Sequence, residues 1–158
     1  GRPPARVSGL AAVVRTLAIA LWIGGMAALD FIDAPLRFAT PALTRNEAVA
    51  LGQAVFARFN QTEVACGVAA LAGAIAARSS RWTVVVTAVM LILAAVQAFY
   101  LTPEITRFAA GLDFVNRTPG DPRYAAIRSL HGIYAVVELV IFAGGVVVLA
   151  AWSLTARR

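Results

Sequence analysis

Residues 82–101 read WTVVVTAVMLILAAVQAFYL, twenty residues broken only by Thr83, Thr87, Gln97 and Tyr100. A helix needs about 20 largely apolar residues to cross the hydrocarbon core of a bilayer, and this stretch supplies them without a charge. Working outward, residues 7–29, 62–77 and 133–154 have the same character. The second of these has the shortest charge-free run, Val64 to Ala77. The whole chain agrees, with 60% of its 158 residues hydrophobic, 14% charged and a mean hydropathy of +0.77. Soluble domains carry about 25% charged residues, and a soluble fold of this length could not hide so much apolar surface. The expected fold is all-α, an integral membrane four-helix bundle whose immediate partner is the lipid bilayer.

The connections predict amphipathic helical extensions on the outer side. Thr44-Arg-Asn-Glu47 has the form of a capping box, followed by Ala48, Val49, Leu51, Gly52, Val55, Phe56 and Phe59 at helical spacing. Residues 45–61 should therefore be helical and run unbroken into the second span. Asp121-Pro122 pairs an N-cap with a proline at the first helical position, so residues 122–132 should lead into the fourth span. Only Arg78-Ser79-Ser80-Arg81 separates the second and third spans. The first span, preceded by Arg2 and Arg6, also has the shape of a secretory signal peptide; we read it as retained.

All 14 basic residues are arginine, and with 8 acids the net charge is +6. With four spans the termini and the short loop share one side, which carries Arg2, Arg6, Arg78, Arg81, Arg157 and Arg158 and no acid. The positive-inside rule puts that side in the cytoplasm, and the expected location is a bacterial inner membrane. The arginines lack the aromatic interleaving of a nucleic-acid surface, so no nucleic acid is expected. A single cysteine, Cys66, and a single histidine, His131, exclude an internal disulfide, a multi-cysteine metal cluster and a bis-histidine haem within one chain. No phosphate loop, dinucleotide fingerprint, zinc-protease helix or Ser-His-Asp order is present. The sequence offers no support for catalysis, and neither haem nor nucleotide is expected.

Leu21-Trp-Ile-Gly-Gly25 and Ala34-Pro35-Leu-Arg-Phe38 resemble the opening of a bacterial four-helix membrane family. That family is grouped with eukaryotic transmembrane protein 205 and catalogued as a domain of unknown function. Phe56-Ala-Arg-Phe-Asn-Gln-Thr-Glu63, Pro103-Glu104 and Leu130-His131-Gly132-Ile-Tyr134-Ala-Val-Val-Glu138 agree in kind and order. The resemblance implies four membrane helices and brings no settled reaction or ligand.

Ionisable groups at membrane depth are expensive and are functional candidates by default. Four spans bring Asp30, Asp33, Glu63, Glu104, His131 and Glu138 near one surface. His131, Tyr134 and Glu138 share a face at i, i+3, i+7, as do Gln97, Tyr100 and Glu104; Met26, Asp30 and Asp33 share another, and Asn60 pairs with Glu63. The candidate ion-binding set is Glu63, Glu138, His131, Asp30, Asp33, Tyr134 and Gln97. Glu63, Glu138 and His131 would be the ligands of any metal ion, although the Glu-x-x-His pattern of di-iron bundles is absent. Binding or transport of a small cation or proton is the function this set suggests. The plain alternative is that these acids cap helices and pair with Arg37, Arg58, Arg107 and Arg128. A different class of reading comes from Gly24-Gly25, Ala69-xxx-Gly73-xxx-Ala77 and Gly144-Gly145, which let helices approach closely. They serve packing within the bundle, or they seat the chain in a homo-oligomer or larger membrane complex as a structural or accessory subunit.

Overall fold

The computed structural model describes residues 5–155, and every regular element among them is helical. In chain order these are α1 (Ala5–Ala28), α2 (Ala34–Ala39), α3 (Arg45–Ala76), α4 (Arg81–Val96), α5 (Thr102–Ala109) and α6 (Pro122–Thr155). Arg2, Arg157 and Arg158, half of the cytoplasmic charge expected above, lie outside the described residues. Three helical stretches are long and apolar enough to cross a membrane: Ser8–Ala39, Arg81–Ala109 and Pro122–Leu154. This is a membrane protein by the length and composition of those helices.

Two of the three are longer than the sequence led us to expect, and for the same reason. Helices usually stop before the residue preceding a proline, because proline offers no N–H and its ring clashes with the carbonyl four residues back. Here each proline is preceded by one widened, π-helical turn, Leu29–Asp33 before Ala34-Pro35 and Gln97–Leu101 before Thr102-Pro103. The Ala34 N–H reaches back to the Leu29 carbonyl, and the Thr102 N–H to the Gln97 carbonyl. The register slips by one residue, the proline is accommodated, and the helix continues to Ala39 or Ala109. Such turns occur often at functional sites, and these two carry Asp30, Asp33 and Gln97.

The helix α3 runs 32 residues without a break, and its Thr44–Glu47 capping box is made in both directions. The opposite end closes on Arg78, whose φ of 54° puts it in the left-handed region more often filled by glycine.

The long helices pack α1 on α3, α3 on α4, α4 on α6, and α6 back on α1. Ile19, Trp22, Met26, Ala70, Met90, Ala94, Ile141 and Val148 form the shared core. On α4 the usual soluble pattern is inverted: Thr83 and Thr87 are buried while Val85, Val89 and Ile92 are exposed. Each threonine satisfies itself inside by donating to a carbonyl one turn back, Ser80 and Thr83 respectively, at 2.8 Å. The apolar β-branched side chains are left outside, where only lipid would receive them. Glycines make the close approaches. A Cβ on Gly73 would lie 2.9 Å from the Ala11 carbonyl oxygen and 2.9 Å from the Arg15 nitrogen. Gly25, Gly144 and Gly145 are likewise covered by Phe59, Met90 and Ile23 of other helices, whereas Gly24 faces open space. The small-residue patches thus serve packing within the chain, apart from Gly24.

Candidate functional site

The polar residues of the four long helices converge on one buried cluster. Glu63 of α3 is fully buried, and its Oε1 accepts from Trp22 Nε1 of α1 at 2.8 Å. Asn60, one turn earlier, is 1% exposed. With its amide turned to satisfy every neighbour, Nδ2 donates to Glu63 Oε2 at 3.0 Å and lies 2.8 Å from the Tyr134 hydroxyl. Its oxygen accepts from the Thr102 hydroxyl at 2.6 Å. Tyr134 of α6 is buried too, held edge-on by Phe56 and stacked by His131, with ring centroids 6.0 Å and 6.4 Å away. Gln97 is fully buried on its widened turn and donates to the Tyr134 carbonyl at 3.3 Å, while its Oε1 has no hydrogen-bond partner.

A second pair of carboxyl groups lies beside this cluster. Asp30 and Glu138 lie close to one another, Glu63 lies within reach of the Asp30 charge, and Glu138 within reach of both. Glu138 is buried, and its Oε1 has no hydrogen-bond partner. Among the described residues no arginine pairs with Glu63 or Glu138, and arginine pairing of the acids is found further out. There Arg37 pairs with Asp33 and Arg107 with Glu104.

Of the residues singled out in the sequence, Glu63, Glu138, Asp30, Tyr134 and Gln97 come together. His131 sits exposed at the edge, stacked on Tyr134, and Asp33 is drawn off by Arg37. Among the described residues, no three His, Cys, Asp or Glu side chains group closely enough to hold a metal ion. Cys66 is a free, half-buried thiol.

Sequence reasoning missed two members. Trp22 was not among the candidate site residues, yet it is the hydrogen-bond donor to Glu63; it extends the Met26–Asp30 stripe by one turn at i−4, which was the available signal. Thr102 carried no signal, because its reach to Asn60 depends on the turn at Gln97–Leu101.

Above the cluster opens a cavity of about 810 Å³. Asp30, Tyr134 and Glu138 line the part next to the cluster, the exposed His131 its edge, and Arg45, Arg117 and Arg128 its outer end. The outer end is roofed by the loop between α5 and α6. Asn46 Nδ2 donates to Asp113 Oδ1 at 2.9 Å, Asn46 Oδ1 accepts from the Phe114 N–H at 2.6 Å, and the Tyr124 hydroxyl donates to the Asp113 carbonyl at 2.6 Å. The N–H of Asn116, the Asn46 side chain and the N–H of Val115 together hold the Asp113 carboxyl well below the usual carboxylate range.

A family profile for a domain of unknown function, DUF4149, matches residues 17–111. The chain belongs to that family. The DUF4149 match takes in Trp22, Asp30, Asn60, Glu63, Gln97 and Thr102 and ends before α6. In this DUF4149 protein α6 therefore completes the cluster from outside the matched region, by supplying Tyr134 and Glu138. No curated protein and no solved structure matches the chain.

Proposed function

We propose that this DUF4149 protein binds and conducts protons through the Asp30–Glu138–Glu63 carboxyl groups of a four-span membrane bundle. The observation that carries this reading is that Asp30 and Glu138 line one cavity beside the fully buried Glu63, with no arginine paired to Glu63 or Glu138 among the described residues. Carboxyl chains in contact with a cavity are the usual construction of intramembrane proton relays. A small monovalent cation is the other ligand that buried carboxylates without an arginine would take.

In this reading α3 is the fourth crossing helix. It is lengthened by its buried contacts along α1 and α4 rather than by a long apolar run. The grouping with transmembrane protein 205 and a place in a bacterial inner membrane belong to the same proposal. Both termini would be cytoplasmic, on the side of Arg78 and Arg81. Arg15 supports this assignment: it hydrogen-bonds Ser79 of the short loop and lies over the Trp152 ring at 4.5 Å, which ties it to that end.

The test is proton flux into proteoliposomes carrying a trapped pH-sensitive dye. Glu138→Gln and Glu63→Gln together should remove the protein-dependent flux, and Asp30→Asn should reduce it. Full flux in the Glu63→Gln, Glu138→Gln double variant would end the proposal.

A further inference from the structure

We infer that the 810 Å³ cavity is a lateral binding site for an anionic phospholipid, with its phosphate at the outer arginines and one acyl chain inside. This goes beyond proton binding and does not depend on it. The first observation is an open wall. The helix α5 packs on α6, and α2 packs on α3, but among the described residues the α2 and α6 backbones stay more than 8 Å apart, Cα to Cα. The gap between them is edged by Phe31, Phe38 and Leu139, which line the cavity and are 74%, 56% and 68% exposed. Side chains of that kind at a lateral gap face hydrocarbon, so a chain can pass sideways from the bilayer into the cavity. The interior beyond them is apolar, with Val49, Ile105, Ile127 and Phe142 on its walls.

The second observation is unbalanced charge at one end. Arg45, Arg117 and Arg128 are exposed at the outer end, and among the described residues none has a carboxylate partner. Arg117 makes only a ring contact, 5.3 Å above Tyr124. The nearest lining acid on α6, Glu138, lies ten residues below Arg128, which is roughly 15 Å along the helix. Asp121 lies beside Arg117 and Arg128 but pairs with Arg123, and three guanidinium groups without a carboxylate partner favour a phosphate, which arginine binds with paired N–H donors. The third observation is length. The α6 face lining the cavity runs from Tyr124 to Phe142, roughly 27 Å at the rise of an α-helix. That accommodates a headgroup and most of one extended acyl chain.

The experiment is native mass spectrometry of the full chain released from phosphatidylcholine vesicles containing phosphatidylglycerol. One phosphatidylglycerol should be retained in preference to phosphatidylcholine. Arg45→Gln with Arg128→Gln, both at exposed positions, should weaken that retention roughly thirty-fold, from about a factor of five for each arginine near an anionic headgroup. Ala135→Trp, which fills the cavity without touching the arginines, should abolish retention while leaving the thermal melt intact. The proposal is overturned by equal retention of the two lipids, or by unchanged phosphatidylglycerol retention in the double arginine variant. Displacement of the lipid by inorganic phosphate alone, or preferential retention of a cationic dialkylammonium amphiphile, would also overturn it.

Discussion

The bond from Trp22 to Glu63 joins α1 to α3 at the centre of the cluster, and its worth can be set out in advance. The donor residue is 1% exposed and the acceptor fully buried, at 2.8 Å, so no water can replace either partner. Trp22→Phe removes the N–H but also part of a ring that lies against Gly67, so the single variant mixes a lost bond with lost packing. A double-mutant cycle separates them. Trp22→Phe, Glu63→Met and the double variant are unfolded reversibly in mixed micelles by titrating a denaturing detergent, and the packing loss cancels from the coupling energy. Interhelical hydrogen bonds in membranes average about 0.6 kcal/mol and reach about 1.7 kcal/mol. Leaving a buried polar partner unmet costs about 1–3 kcal/mol. Complete burial at both ends places this bond in the upper membrane range, and a coupling of about 1–2 kcal/mol is expected. A coupling below about 0.5 kcal/mol, the level at which independent sites add, would refute the view that this bond positions Glu63.

Gly73→Ala should lower the melting temperature by the equivalent of about 1–3 kcal/mol, because the new methyl meets the backbone of α1 at Ala11 and Arg15. Gly24→Ala, with nothing within 4 Å, should not, and equal losses at both positions would show that helix separation is not the cause. The Asp113 carboxyl titrates below its unfolded value of 3.8, so its bonds to the roof loop stabilise that loop above this pH and are lost as the pH falls below it. Hydrogen exchange at the Phe114 and Val115 amides, taken relative to the intrinsic rate at each pH, should therefore speed up in acid. It should be fast at neutral pH in Asp113→Ala, and unchanged protection in that variant would contradict the assignment.

Particular residues show where the sequence was sufficient. Thr44 and Glu47 announced the start of α3, and Asp121-Pro122 that of α6, because caps are local and need only a few neighbouring residues. Spacing of three, four and seven placed Asn60 with Glu63 and Tyr134 with Glu138 on common faces. The same local rules failed at Pro35 and Pro103. A proline reads as a stop, and the widened turns that let both helices pass it are set by packing against their neighbours. Spacing within one helix also could not tell Asp30 from Asp33. Both lie on the first π turn, yet one faces Glu138 and the other is captured by Arg37.

The sequence alone determined that this chain is helical and belongs in a membrane. Mean composition and run length are sums over residues, and no contact is needed to evaluate them. It also determined which polar side chains would be costly at that depth. Only the tertiary structure decided what each of them meets, because partners such as Trp22 and Glu63, or Asn60 and Tyr134, are separated by 41 and 74 residues in the chain. The lateral gap between α2 and α6 is likewise a property of how helices sit together. It exists because α2 leans on α3 and α5 on α6, and no single helix carries a trace of it.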